Sequence, residues 1–229
     1  MKIIILTVNE KGSNLYKKLQ SMTNYDIIVK KFPLTCKNYG VETSDTSHCV
    51  KKSIWNNTLE CIKYGLRYDN KVCVLQDDFI PYKTFHENLS RSEKFIKIND
   101  VDMLYLSSNP TTKFTKTSNK YIARINGHCN GWQSVIFTRS FLEKVNQFPI
   151  RIPYGIHNDT YLNKYFNKGI NGYIHVPSSG RQMTDRQWIR KFDYDLLYDF
   201  RYNYKYGDPI WLLFILIIIV IIFILYNIK

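Results

Sequence analysis

At 229 residues, 45% of them hydrophobic and 15% aromatic, the chain is long enough for one enzyme-sized domain with a core of its own, and its composition argues against disorder. The net charge of +13 suits an anionic partner such as a nucleotide diphosphate or a lipid headgroup, but the bases are scattered and no nucleic-acid motif accompanies them, so nucleic acid is not an expected partner. Cys36, Cys49, Cys61, Cys73 and Cys129 are odd in number and lack any Cys-x-x-Cys spacing, which argues against a disulfide framework and a structural zinc. A reducing compartment is the expected home.

The apolar run at residues 1–8 is too short for a secretory signal and reads as a first strand. Ser13 can then cap a helix whose Leu15, Leu19 and Met22 share one face. Residues 25–29 read as a second strand and 33–44 as a loop pivoting on Gly40. A long helix follows over 46–68, with Val50, Ile54, Thr58, Cys61, Ile62 and Gly65 as its buried stripe. It leads into a strand over 71–75, and the helix-then-strand succession predicts a parallel element of an α/β sheet.

That strand ends abruptly in Gln76-Asp77-Asp78. Ligands of open α/β sheets collect outside the carboxyl ends of the strands, so the two acids are expected at the mouth of such a crevice. Neighbouring residues on an extended chain point to opposite sides, which suits one carboxylate to a hard cation better than two carboxylates to a shared proton. The alternative is a solvated turn.

Further along, 85–96 reads as a helix, 103–106 as a short strand ending at Ser107, and 113–124 as a hairpin. The glycine-bracketed stretch 125–133, with Asn130, Trp132 and Gln133, is a candidate ligand wall or a plain turn before a strand over 134–138. Asn158 or Asp159 can cap a helix, and 172–176 reads as a strand carrying His175, a core residue or a ligand. Residues 210–225 are almost wholly apolar, enough for a helix that spans a bilayer. Arg190, Lys191, Arg201 and Lys205 precede that run and only Lys229 follows it, which places the large domain on the cytoplasmic side of a tail anchor. The organisation expected is a catalytic domain over 1–180, an aromatic and basic connection over 181–208, and a transmembrane helix over 209–227.

Thr46-Ser47-His48 ahead of Ile54-Trp55, then Val74-Leu75-Gln76-Asp77-Asp78, Met103 to Leu106, Gly131 to Ile136 with Arg139 beginning the next helix, and Asp159 to Leu162 follow one another in an order that resembles glycosyltransferase family 25. This family includes the lipooligosaccharide sugar transferases and collagen galactosyltransferases. The resemblance covers roughly residues 40–180 and implies a GT-A-like, Rossmann-type mixed sheet flanked by helices. It also implies transfer of a sugar from a nucleotide-diphospho-sugar donor to a hydroxyl of a glycan, lipid or protein, assisted by Mn²⁺ or Mg²⁺ and inverting at the anomeric carbon. By the same resemblance Asp78 would ligate the metal, with His175 completing its shell. Gln76 and Asp77 would lie near the donor's ribose and sugar, and Ser47 and His48 would line its pocket, although Ser47 is equally suited to capping the long helix. Asp159 would be the general base, although it is equally suited to capping a helix. Two departures stand out: Gln76 occupies the position where the family places Glu, and the Arg-rich turn after the first strand is missing. Both leave room for an inactive descendant that serves as a membrane-anchored scaffold.

Overall fold

The computed structural model describes residues 1–7, 11–32, 46–107, 113–129, 132–147, 169–176 and 178–182. All of these lie in a compact unit, Met1–Met183. Of the expected connection over 181–208 only Arg181 and Gln182 are among the described residues, and the apolar stretch 209–227 and Asp159 lie outside them. No helix among the described residues is long and apolar enough to cross a membrane.

In chain order the elements are β1 (Lys2–Thr7), α1 (Lys11–Gln20), β2 (Asp26–Lys31), α2 (Thr46–Gly65), β3 (Lys71–Gln76), β4 (Phe79–Pro81), α3 (Phe85–Ile98), β5 (Met103–Tyr105), β6 (Lys113–Lys116), β7 (Ile122–His128), β8 (Ser134–Thr138), α4 (Arg139–Gln147), β9 (Gly172–His175) and β10 (Gly180–Gln182). Eight strands form one sheet in the order β2-β1-β3-β8-β5-β9-β7-β6, and β10 with β4 forms a small second one. The fold is a mixed α/β sheet of Rossmann type with helices packed on it. β1 lies parallel to β2 and to β3, and β5 lies parallel to β9. β8 runs antiparallel between β3 and β5.

Alternate residues of the central strands face opposite helical layers, as the pleat requires. Ile3 and Ile5 of β1, Cys73 and Leu75 of β3, Leu104 of β5 and Ile136 of β8 bury one face against Leu15 and Leu19 of α1 and Phe85 and Leu89 of α3. On the opposite face Phe137 of β8 meets Phe141 of α4 at 4.8 Å between ring centroids. There α2 closes onto β3 at Gly65, where a Cβ would stand 2.3 Å from Val72 Cγ2 and 2.6 Å from Val72 Cβ. Gly65→Ala is therefore expected to lower the melting midpoint, since overpacking of this kind costs about 1–3 kcal/mol. An unchanged melt would mean that the helix can lift without loss.

Several sequence expectations change in detail. Helix α1 begins at Lys11, so Ser13 stands inside its first turn instead of capping it. Strand β7 continues to His128, through much of the stretch read as a loop, because its pairing with β6 absorbs a register shift between Lys113 and Phe114. Gly127 meets this irregularity in the left-handed region, at φ +91°, where glycine carries no Cβ penalty. Two strands went unforeseen: Phe79–Pro81 and Gly180–Gln182, the second at the head of the stretch read as a partly helical connection.

Cys61, Cys73 and Cys129 are buried and unbridged. Burial pushes the Cys61 thiol up to about 12, and the Cys73 thiol is pushed up by the same cause. At pH 8 these two thiols hold their protons, so an alkylating reagent should leave both unlabelled in the folded protein and label them in denaturant. Rapid labelling without denaturant would show that the sheet opens locally.

Candidate active site

The strands that end at one edge of the large sheet bring together Thr7, Gln76 and the acids after it, Ser107, and His175. Because β8 is antiparallel, it adds residues from its start at this same edge: Trp132, Gln133 and Ser134. Most of the edge is polar and sealed. Thr7, Ser107, Gln133, Ser134, His175, Ser178 and Ser179 are each at least nine-tenths buried.

Asp77 and Asp78 form the turn between β3 and β4, directly after the apolar run. Asp77 continues the register of β3 beyond its last paired residue. Its amide donates to Leu6 O at 3.1 Å, and its Oδ2 accepts the hydroxyl of Thr7 at 2.7 Å. The amide of Gln76 donates to Gln133 O at 2.9 Å, so β8 holds the turn from the other side. Asp78 is half-buried, with Oδ1 shielded from solvent.

Beyond β9 the chain doubles back across this edge. The amide of Val176 donates to Tyr121 O at 2.7 Å and that of Ser179 to Leu106 O at 2.7 Å. Gly180 to Gln182 then pair antiparallel with Phe79 to Pro81, directly after the acids. Gly180 is required by the close approach: a Cβ there would stand 2.3 Å from Phe79 Cε2 and 2.6 Å from Ile80 O. The amide of Tyr82 donates to Ser179 O at 3.0 Å and completes the crossing. Ser107 and Ser134 share a hydroxyl hydrogen bond of 2.6 Å beneath it.

The residues singled out in the sequence fare differently. Gln76, Asp77, Asp78 and Gln133 come together around the end of β3. Trp132 is 7% exposed and packs on Trp55 of α2, with 5.1 Å between ring centroids, so its ring serves the packing of α2 on β8. Ser47 and His48 stand in the first turn of α2, their side chains outside the described residues, and Asn130 lies outside them altogether. His175 is at the same edge, but β8 and β5 intervene between β3 and its own strand. It is fully buried and stacked on Tyr121, at 6.1 Å and 14°.

No three of His, Cys, Asp and Glu gather as a metal-binding group among the described residues, so His175 does not form one with Asp77 and Asp78. A carboxylate in a turn at the sheet edge nevertheless fits a cation of the Mg²⁺ or Mn²⁺ kind, which takes one or two protein oxygens and fills its other positions with phosphate and water. Thr7 was the residue that sequence reasoning missed. Only the parallel register of β1 and β3 reveals it, since Leu6 stands opposite Gln76 and the next residues along are Thr7 and Asp77.

Fold and edge together define a Rossmann-type α/β domain with an acidic turn at the carboxyl edge of its sheet. Among solved structures the chain is similar to CMP:2-keto-3-deoxy-manno-octonic acid synthetase complexed with CTP, with 10% identity, a TM-score of 0.43, and 86% of this chain and 80% of that one covered. It is similar to an apo UDP-glucose pyrophosphorylase at 9% identity and a TM-score of 0.41, covering 90% and 81%. It is also similar to a glycosyltransferase involved in the glycosylation of the major capsid of PBCV-1, at 14% identity and a TM-score of 0.31, covering 78% and 95%. Likenesses this distant carry no argument about activity. No family model matches the chain, and no curated protein matches it.

Proposed function

We propose that the chain is a metal-assisted glycosyltransferase. It moves a sugar from a nucleotide-diphospho-sugar to a hydroxyl of a glycan, lipid or protein, with inversion, and is held at a membrane by residues 209–227 with its domain on the cytoplasmic face. The observation that carries this reading is the Gln76-Asp77-Asp78 turn, anchored from both sides at the carboxyl edge of a mixed sheet. Cleaving the sugar–phosphate bond leaves a nucleoside diphosphate with added negative charge. A divalent cation supplies stabilisation for that charge, and Asp78 would hold it against the diphosphate.

Asp78 would thus orient the leaving group, while the half-buried Gln76 offers an amide that can both donate to and accept from ribose or sugar hydroxyls. Its neutral side chain would not repel the diphosphate. In this reading Asp159 takes the proton of the acceptor hydroxyl. His175 is the further ligand that the family resemblance implies, but its burial and its stacking on Tyr121 favour a structural role.

A second reading, a scaffold without turnover, is favoured by Gln76, which removes one negative charge from the acidic turn. The two separate on turnover. Full-length protein in detergent, given Mn²⁺ and a panel of nucleotide sugars, is expected to release free nucleoside diphosphate from one donor by slow hydrolysis, and chelator should stop the release. A folded protein that neither releases nucleoside diphosphate nor binds any donor would overturn the transferase reading in favour of the scaffold.

A further inference from the structure

We infer that Thr7 and Asp77 form a positioning latch, in which Asp77 gives its carboxylate to the fold and thereby fixes Asp78 as the acid that faces the cation; the inference rests on the transferase reading. Thr7 is the last residue of β1 and is 2% exposed. Its hydroxyl reaches Asp77 Oδ2 at 2.7 Å, and the Asp77 amide is tied to Leu6 O, so main chain and side chain of Asp77 are both held by β1. A buried hydroxyl that donates to a carboxylate makes a charge-assisted bond, the stronger kind.

Thr7 is itself confined. A Cβ at Gly12 would stand 2.7 Å from Thr7 Cγ2 and 2.8 Å from Thr7 Cβ, so the first turn of α1 closes directly over this side chain. A β-branched residue under such a lid has little rotamer freedom. Downstream of the acids, the pairing of β4 with β10 and the bond from the Tyr82 amide to Ser179 O fix the other end of the turn. Asp78 is therefore suspended between two anchored points. Groups that orient a metal ligand without touching the metal are worth about 10- to 100-fold in affinity.

The test reads Mn²⁺ binding directly, by the loss of the free-ion electron paramagnetic resonance signal when full-length protein in detergent is titrated in the presence of a nucleoside diphosphate. Asp77→Asn keeps an oxygen that can accept the Thr7 hydroxyl, and Thr7→Ser keeps the hydroxyl itself. Both are expected to bind within about threefold of the unaltered protein, whereas Thr7→Val should bind about 10-fold more weakly and Asp78→Asn about 100-fold more weakly. Melting curves run beside the titrations separate lost binding from lost folding. Should Thr7→Val fail to fold, the contrast between Asp77→Asn and Asp78→Asn decides alone.

Equal losses in Asp77→Asn and Asp78→Asn would make Asp77 a direct ligand and overturn the latch. So would a folded Thr7→Val that binds Mn²⁺ like the unaltered protein. In both cases the unaltered protein still binds Mn²⁺ and cleaves its donor, so the transferase reading stands. An unaltered protein that takes up no Mn²⁺ with any nucleoside diphosphate and cleaves no donor overturns that reading, and the latch with it.

Discussion

Asp78→Asn is expected to reduce donor cleavage by about 100-fold or more while leaving the melting midpoint within a degree or two, since losing a group that stabilises transition-state charge costs about that much in rate. The substitution keeps the size of the side chain and removes only its negative charge. Asp78 is half-buried in a turn whose backbone anchors belong to Gln76, Asp77 and Tyr82, so the fold has little reason to notice. Extra Mn²⁺ should recover part of the rate if weak binding is the cause, and none if the carboxylate is needed for alignment of the diphosphate. Full activity in Asp78→Asn, measured as nucleoside diphosphate released per folded molecule, would remove this residue from the chemistry.

The largest expected effect on stability lies at the opposite edge of the sheet. Asp102, just before β5, has a fully buried carboxylate that accepts from Ser140 Oγ, from Lys144 Nζ and from the Asn171 amide, each at 2.6 Å. It ties α4 and the start of β9 to β5, and the amide of Thr138 donates to its carbonyl at 3.0 Å. Asp102→Ala leaves a cavity, an ammonium without its counter-charge and an amide without an acceptor. Breaking a buried pair from one side costs about 3–5 kcal/mol. Lys144 is 28% exposed and regains some hydration, which puts the expected loss at the lower end.

For a domain of this size the melting midpoint should then fall by roughly 6–12 °C. Asp102→Asn, which keeps the volume and one acceptor oxygen, should fall less. Because Asp102 lies at the far edge from the acidic turn, donor cleavage per folded molecule should not change in either variant. A melt unaffected by Asp102→Ala would show that Ser140, Lys144 and Asn171 find other partners.

Much of this architecture is written in local pattern. Leu15 and Leu19 at helical spacing do bury one face of α1, and the apolar run ending in Gln76-Asp77-Asp78 is a central strand ending at the edge where ligands are expected. Arg139 does begin the helix after β8. What local pattern could not carry is pairing. Phe79–Pro81 and Gly180–Gln182 are too short to show any period, and each is a strand only because the other lies beside it. Thr7 looks like the end of an apolar run until β1 and β3 are known to be neighbours in register. Asp102 reads as a loop acid, since its partners come from α4 and from the turn before β9. The Trp55–Trp132 contact likewise joins a residue of α2 to one just before β8, with five strands between them in the sequence.

The place of β8 in the strand order has a consequence for how the chain comes into being. Its neighbours on either side, β3 and β5, both precede it in sequence, so Ser134–Thr138 must be inserted between strands already made. Until the ribosome has released that segment, Lys71–Gln76 and Met103–Tyr105 each carry an unpaired apolar edge open to wrong partners, and the closing step is a non-local one of the slow kind. Nascent chains that stop short of Ser134 should therefore depend on chaperones, whereas those that extend past Thr138 have the means to seal the centre of their own sheet.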